Sequence, residues 1–337
     1  MQAAKFYKTL KDQAVQCELC PRQCRLKPGQ AGLCKTRVNN NGKLYSLTYG
    51  KPVAVNVDPI EKKPLYHVYP GEKIFSFGTF GCNLKCKHCQ NCDLSQSDFI
   101  EERTLPLPPK KVIQLTHHYE ACGIAFTYNE PSINAEYVMD TAALAKSQGF
   151  ITAMVTNGYI SPAAAREVYK NTDAANIDLK AFNKEFYEKI VGGKLEPVLE
   201  AIRTIYDMGV WVELTTLVIP GLNDSPREIE NLSKWVVNNL SESTPLHLTA
   251  FHPAYRLTHI PATRPSQLLS LREVARQSGL NFVYTGNISH QESATTYCNG
   301  CGRELIIRNW YKTEIRNLTG NTCKNCGTRL PGIFPRN

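Results

Sequence analysis

From residue 74 onward the sequence alternates between two periods, and that alternation leaves few folds open. Short apolar, β-branched runs recur at 74–79 (IFSFGT), 123–128 (GIAFTY), 151–157 (ITAMVTN), 175–179 (ANIDL), 211–219 (WVELTTLVI), 246–251 (LHLTAF) and 281–285 (NFVYT). Between them, 109–120, 133–148, 162–171, 195–208, 226–240 and 266–278 carry apolar residues at helical spacing. Five of these stretches close on a glycine or asparagine stop, at Gly123, Gly149, Asn171, Gly209 and Gly279. Repeated βα units predict a parallel sheet with right-handed crossovers. Six or so units in roughly 210 residues suit a partial (β/α)6 TIM-like barrel better than a closed eight-fold one.

In such sheets the chemistry gathers at the C-terminal ends of the strands. Polar motifs stand there in turn: TYNEP (127–131), TNG (156–158), DLK (178–180), IPGLND (219–224) and FHPAYR (251–256). The first strand runs into GCNLKCKHCQNC (81–92). Asp178 and Lys180 alternate along a strand, so both face the lumen if Ile177 and Leu179 pack outward. A salt bridge joining them to Glu130 is the purely structural alternative.

The 13 cysteines fall in three tight groups, with Cys122 alone. A secreted disulfide scaffold would be short and scatter its cysteines, so the groups predict metal sites in a reducing compartment. The N-terminal stretch has no secretory apolar core, and no run of about 18 apolar residues occurs. A cytoplasmic location without membrane association is therefore expected. Cys298, Cys301, Cys323 and Cys326 form C-x2-C-x21-C-x2-C with a glycine after each pair, the spacing of a zinc ribbon. Cys17, Cys20, Cys24 and Cys34 form a less standard set, for zinc or a second iron–sulfur cluster. In the 82–92 loop, four thiolates would close a structural zinc site. Cys82, Cys86 and Cys89 alone would hold a [4Fe–4S] cluster with one iron open to a small molecule. Structural zinc would ask nothing of the neighbouring strand ends, so their polar motifs weigh toward the open cluster.

Three parts are expected: 1–72, a cysteine module with a β-hairpin over 43–57 turning at Gly50; 73–290, the barrel; and 291–337, the ribbon. The net charge of +9 divides as +6 over 1–42 (eight Lys/Arg, two acids), +5 over 298–337 (seven, two) and −2 between them (24, 26). The basic flanks suit solubility, an acidic partner or nucleic acid. His67 is expected as a packed loop histidine, His117 and His118 as surface residues, and Cys122 and Cys92 as packing residues.

C-x3-C-x2-C after a first barrel strand, with an imidazole before the third cysteine, resembles the radical S-adenosylmethionine (SAM) superfamily. GCNLKCKHCQN, TYNEP, TNG, DLK and PGLND resemble the glycyl-radical-enzyme activases and their relatives. With CELCPRQCRLKPGQAGLC, DPIEKKPLYH and CNGCG…CKNCG added, the chain resembles the AmmeMemoRadiSam-system radical SAM enzymes, which co-occur with Memo-like and AMMECR-type proteins. The resemblance implies a [4Fe–4S] cluster on Cys82, Cys86 and Cys89 with SAM at its open iron. It implies that His88 meets the adenine, that Asn129 and Glu130 line the SAM amino group, and that Thr156, Asn157, Asp178 and Lys180 continue that edge. It places His252 near the ribose. Reductive cleavage of SAM to a 5′-deoxyadenosyl radical, a flavodoxin- or ferredoxin-type electron donor and a protein or peptide substrate follow as expectations. The contrasting expectation is a non-enzymatic multi-zinc scaffold that binds nucleic acid or protein through its basic ends.

Overall fold

The structure, a computed structural model, describes residues 1–335. The last two residues of the expected ribbon module, Arg336 and Asn337, lie outside the described residues. One eight-stranded sheet organises the chain: β1 (Ala54–Pro59), β2 (Lys73–Gly78), β3 (Gly123–Phe126), β4 (Ile151–Thr156), β5 (Ala174–Asp178), β6 (Trp211–Val218), β7 (Leu246–Ala250) and β8 (Val283–Gly286). Neighbours in sequence are neighbours in space, β1 antiparallel to β2 and every later pair parallel. Six crossover helices follow the parallel strands in order: α1 (Pro109–His118), α2 (Ala135–Ser147), α3 (Pro162–Val168), α4 (Leu195–Asp207), α5 (Pro226–Asn239) and α6 (Pro265–Gln277). Four of them open on proline, whose missing N–H costs nothing in a first turn. Since each crossover lands on the next position, the sheet curls in one direction. β1 and β8 are its edges, and the barrel is partial.

Strand alternation sorts side chains between two surfaces. Phe75, Phe77, Ile124, Phe126, Ile177, Leu214 and Leu248 enter the main core beneath the helices. The opposite face carries Ser76, Ala125, Ala153, Asn176, Asp178, Glu213, Thr215 and His247, in register across the sheet. These line the lumen. Its floor, at the N-terminal ends of the strands, is filled by the segment between β1 and β2, whose Ile60, Leu65 and Val68 pack on Ile74, Ile151 and Ala174. Buried Glu213 ties this plug down, accepting the Tyr66 and His67 backbone N–H groups at 2.9 and 2.8 Å and His247 Nε2–H at 2.6 Å.

The hairpin expected over 43–57 is placed differently. Its two arms are Arg37–Asn40 and Lys43–Ser46, turning at Asn41 and Gly42, both with positive φ (49° and 84°). Residues 54–59 instead pair antiparallel with β2 as the edge of the barrel sheet. The N-terminal module packs at the C-terminal ends of the strands through a buried Arg37–Glu136 ion pair (3.0 Å). The C-terminal strands Thr296–Tyr297, Glu304–Asn309 and Lys312–Ile315 pack at the opposite end, and Ile333 bridges to Val68 of the plug. Among the described residues no helix is long and apolar enough to cross a membrane.

Candidate metal and cofactor site

The loop after β2 is held open by asparagines from the next two strand ends. Asn129, following β3, takes the Thr79 N–H at its Oδ1 (3.0 Å) and gives its Nδ2 hydrogens to the Phe80 and Gly81 carbonyls (3.2 and 2.9 Å). Asn157, following β4, donates from Nδ2 to Asn83 Oδ1 (3.0 Å) and to Cys82 Sγ (3.5 Å). The Leu84 N–H points at the same sulfur from 3.4 Å. Two N–H donors on one sulfur favour its thiolate form.

Glu130 fastens β3 to β4. Its Oε1 accepts the Ser132 N–H (2.9 Å) and the Thr156 hydroxyl (2.8 Å), and its Oε2 accepts the Asn157 N–H (2.7 Å). The side chain is buried, and burial pushes its carboxyl upward against those hydrogen bonds. Of the residues expected to line SAM directly, Asn129, Glu130, Thr156 and Asn157 thus spend their side-chain groups on one another and on the cysteine loop. Asn83, which no expectation singled out, is the hub: it also donates Nδ2–H to the Tyr159 carbonyl (2.6 Å). An asparagine immediately after the first cysteine was the available signal.

Asp178 and Lys180 share the lumen face as the alternation predicts, and pair at 2.8 Å. Glu130 is not part of that pair. Burial works against the Lys180 charge, but Asp178 first, and the Cys86 sulfur in its thiolate form, outweigh it and hold the ammonium protonated. Asn223 of the IPGLND loop donates to the Lys180 carbonyl (2.7 Å) and accepts the Ile219 N–H (2.6 Å), fixing this wall. His88 is buried beside Phe186, and its Nδ1 has no hydrogen-bond partner. Burial first, and then Lys180, lower it to about 3, so the ring is neutral. His252 is exposed after β7 and takes no part in the hydrogen-bonded set.

The residues fit a metal centre that bonds to them. Burial pushes the Cys82 thiol well up and the Cys86 thiol to about 11, with Lys180 acting the other way on Cys86. A bound cation reverses that preference by deprotonating the sulfur outright. The orphaned His88 nitrogen likewise awaits a partner. Thiol spacing separates the sites further. The C-terminal four lie within 4.8 Å of one another, with Cys298–Cys326 at 3.5 Å and Cys301–Cys323 at 3.8 Å. Sulfurs at Zn–S bonds of about 2.3 Å stand about 3.8 Å apart in a tetrahedron. Among the described residues Cys82, Cys86 and Cys89 form no such tight group. Thiolates on different irons of a cubane stand wider than those sharing one ion.

Of the remaining expectations, His67 is fully buried, and His117 and His118 are exposed. Cys122 packs against the plug cluster. Cys92 heads a short helical turn, half-buried, with its Sγ 3.9 Å from the Asp93 carboxylate.

The chain is similar to known proteins in sequence and in fold. Residues 77–235 match the family model described as the Radical SAM superfamily. The chain is 40% identical over 332 residues to an uncharacterized protein of Methanocaldococcus jannaschii, covering 98% of this chain and 99% of that one. It is 26% identical over 174 residues to the pyruvate formate-lyase-activating enzyme of Clostridium pasteurianum, covering 51% of this chain and 72% of the enzyme. In fold it resembles Streptococcus suis SuiB bound to S-adenosylmethionine, with a TM-score of 0.50 and 14% identity, over 68% of this chain and 53% of that one.

Proposed function

The chain belongs to the radical SAM superfamily, with pyruvate formate-lyase-activating enzymes among its homologues, and on that premise we propose that Cys82, Cys86 and Cys89 hold a [4Fe–4S] cluster whose open iron binds SAM. When bound, that pair supplies a 5′-deoxyadenosyl radical by one-electron cleavage of SAM, and the radical takes hydrogen from a substrate C–H bond. The observation that carries the proposal is that Cys82 Sγ draws a donor from a neighbouring strand end, Asn157, as well as the Leu84 N–H of its own loop.

The chain's own residues do four things. Asn129 and Asn83 shape the loop that carries the three cysteines. Glu130 and Thr156 are positioning residues that lock β3 to β4 beneath it. The Asp178–Lys180 pair puts fixed opposite charges on the lumen wall, matched to the zwitterionic end of an amino acid. Neutral His88 offers its unpartnered nitrogen and ring to a nucleobase. The floor plug keeps water out from below, which a reactive carbon radical requires. His252 is assigned to the open rim near the ribose.

A protein or peptide substrate, as activases act on, is the favoured class. The thiol spacing of the C-terminal quartet supports zinc there. The proposed division is functional: 73–290 holds the SAM chemistry, while 1–72 supplies an edge strand, the floor plug and the cover beside the cysteine loop, and 291–337 backs the plug. The relative that matches along nearly the whole chain supports treating all three as one unit. The narrower AmmeMemoRadiSam assignment, with Memo-like and AMMECR-type partners, rests on the flanking motifs, and a reducing cytoplasm suits all three cysteine groups. The test is anaerobic reconstitution with iron and sulfide, then reduction with SAM. 5′-Deoxyadenosine should form, and Cys86→Ser should abolish its formation and remove about four irons. A wild-type protein that binds iron yet leaves SAM intact under reduction would overturn the proposal.

A further inference from the structure

The N-terminal cysteines Cys17, Cys20, Cys24 and Cys34 line one small pocket, together with Arg37 and apolar side chains including Leu26 and Ile133. Three features of that cavity bear on what fills it. First, among the described residues no three of these thiols lie within 4.8 Å of one another, unlike the C-terminal quartet. One zinc draws four sulfurs to about 3.8 Å apart, and this set does not stand at that spacing. The same holds of Cys82, Cys86 and Cys89. Second, Arg37, which lines the same pocket, is 1% exposed, and its buried Nε has no hydrogen-bond partner. The rest of its guanidinium is fixed on Glu136 (3.0 Å) and the Lys5 carbonyl (2.6 Å). A buried N–H left bare calls for an acceptor that the protein does not supply. Third, the Thr36 hydroxyl points at Cys34 Sγ from 3.6 Å, so the sulfur already sits among donors.

We propose that Cys17, Cys20, Cys24 and Cys34 bind a second, fully protein-ligated [4Fe–4S] cluster, with the Arg37 Nε–H donating to one of its sulfurs. Four thiolates around an iron–sulfur core carry net negative charge, which Arg37 and the basic module offset. Every iron then has a cysteine, so this centre has no open position for SAM. Its place is beside the 82–89 loop: Asn83 lines the same cavity while accepting from Asn157, and Arg22 Nε donates to the Asn83 carbonyl at 2.9 Å. The proposal concerns these four cysteines alone and stands apart from the SAM chemistry.

The test uses the full chain, reconstituted anaerobically and stripped of loosely bound metal. The wild type should carry about eight irons and one zinc, and show two [4Fe–4S] signals on reduction, one of them altered by SAM. The triple variant Cys82→Ala/Cys86→Ala/Cys89→Ala should stay brown with about four irons and keep the SAM-insensitive signal. Adding Cys20→Ser to it should discharge that iron. A wild type with about four irons and two zincs overturns the proposal whether or not the triple variant folds. Two signals with neither sensing SAM would instead count against the SAM site and leave this cluster standing.

Discussion

His67 shows how one residue's surroundings can turn acidity into instability. Its Nδ1–H donates to the Pro331 carbonyl (2.7 Å) and its Nε2 accepts the Tyr284 hydroxyl (2.7 Å), so the neutral ring satisfies both neighbours. Burial is the main force on it, lowering it to about 4; Glu213 and the Pro331 carbonyl pull the other way, and Arg308 and His247 add to the lowering. The unfolded ring takes a proton near 6.5 and the folded one only near 4, so the unfolded state binds more protons in between. Stability is therefore complete above about pH 6.5 and falls as the pH drops toward 4, by about 2 kcal/mol at pH 5 for this residue. His67→Gln keeps a donor and an acceptor but cannot titrate. The wild-type advantage over it in thermal unfolding should shrink by that amount between pH 7 and pH 5; parallel pH profiles would refute the account. Glu130 is the contrasting case. The sequence placed it at the right strand end, but a carboxylate looks the same in a chain whether it meets a ligand or three neighbouring donors.

At the scale of elements, each βα unit announced itself because an apolar run or a helical stripe is a local signal. Pro109, Pro162, Pro226 and Pro265 stand at four of the helix starts, a signal that the helical stripes alone did not use. What stayed hidden was pairing at a distance. Residues 54–59 alternate as any edge strand would, and nothing local says that their partner is β2 rather than the preceding hairpin. Arg37 meets Glu136 across 99 residues, and Arg308 meets the Tyr66 carbonyl (2.6 Å) across 242. Cysteine spacing likewise fixes which thiols belong together but not how far apart they stand. Arg308 gives the docking of the C-terminal strands a testable centre. It is fully buried, lies 4.1 Å from the Tyr66 ring centroid, bonds Thr296 Oγ1 (2.8 Å) and stands 3.6 Å from Glu61. Removing one partner of a buried ion pair costs about 3–5 kcal/mol, because the other charge is stranded. Arg308→Leu should lower thermal stability on that scale and expose the 287–296 segment to limited proteolysis. Glu61→Gln added to it should restore part of the loss. Unchanged unfolding would show that the pair does not anchor the module.

Across the whole molecule, the two basic modules sit at opposite ends of the barrel, and among the described residues only the N-terminal one is seen bonded to the cysteine loop. The N-terminal module reaches that loop through Arg22 on the Asn83 carbonyl and Lys35 on the Gln96 carbonyl (2.9 Å). The C-terminal module closes the plug side instead. If an electron enters from an acidic carrier of flavodoxin or ferredoxin type, the shortest protein path to the 82–89 loop starts at the N-terminal face. There Arg25 and Lys27 are exposed on either side of Leu26, which lines the cysteine cavity. Rim charges act mainly on association rate and are screened by salt. Arg25→Glu/Lys27→Glu should slow reduction by such a carrier about 5- to 10-fold at low ionic strength, a difference that fades in about 0.5 M salt. Reduction by dithionite, a small reductant, should be unaffected in the same variant, which separates docking from damage to the metal sites. Lys312→Glu/Lys324→Glu at the far end removes as much positive charge from equally exposed positions. It should leave the rate within about twofold. Equal slowing by both pairs would mean that net charge alone governs the encounter, and no slowing by either would move the entry point off the basic surfaces altogether.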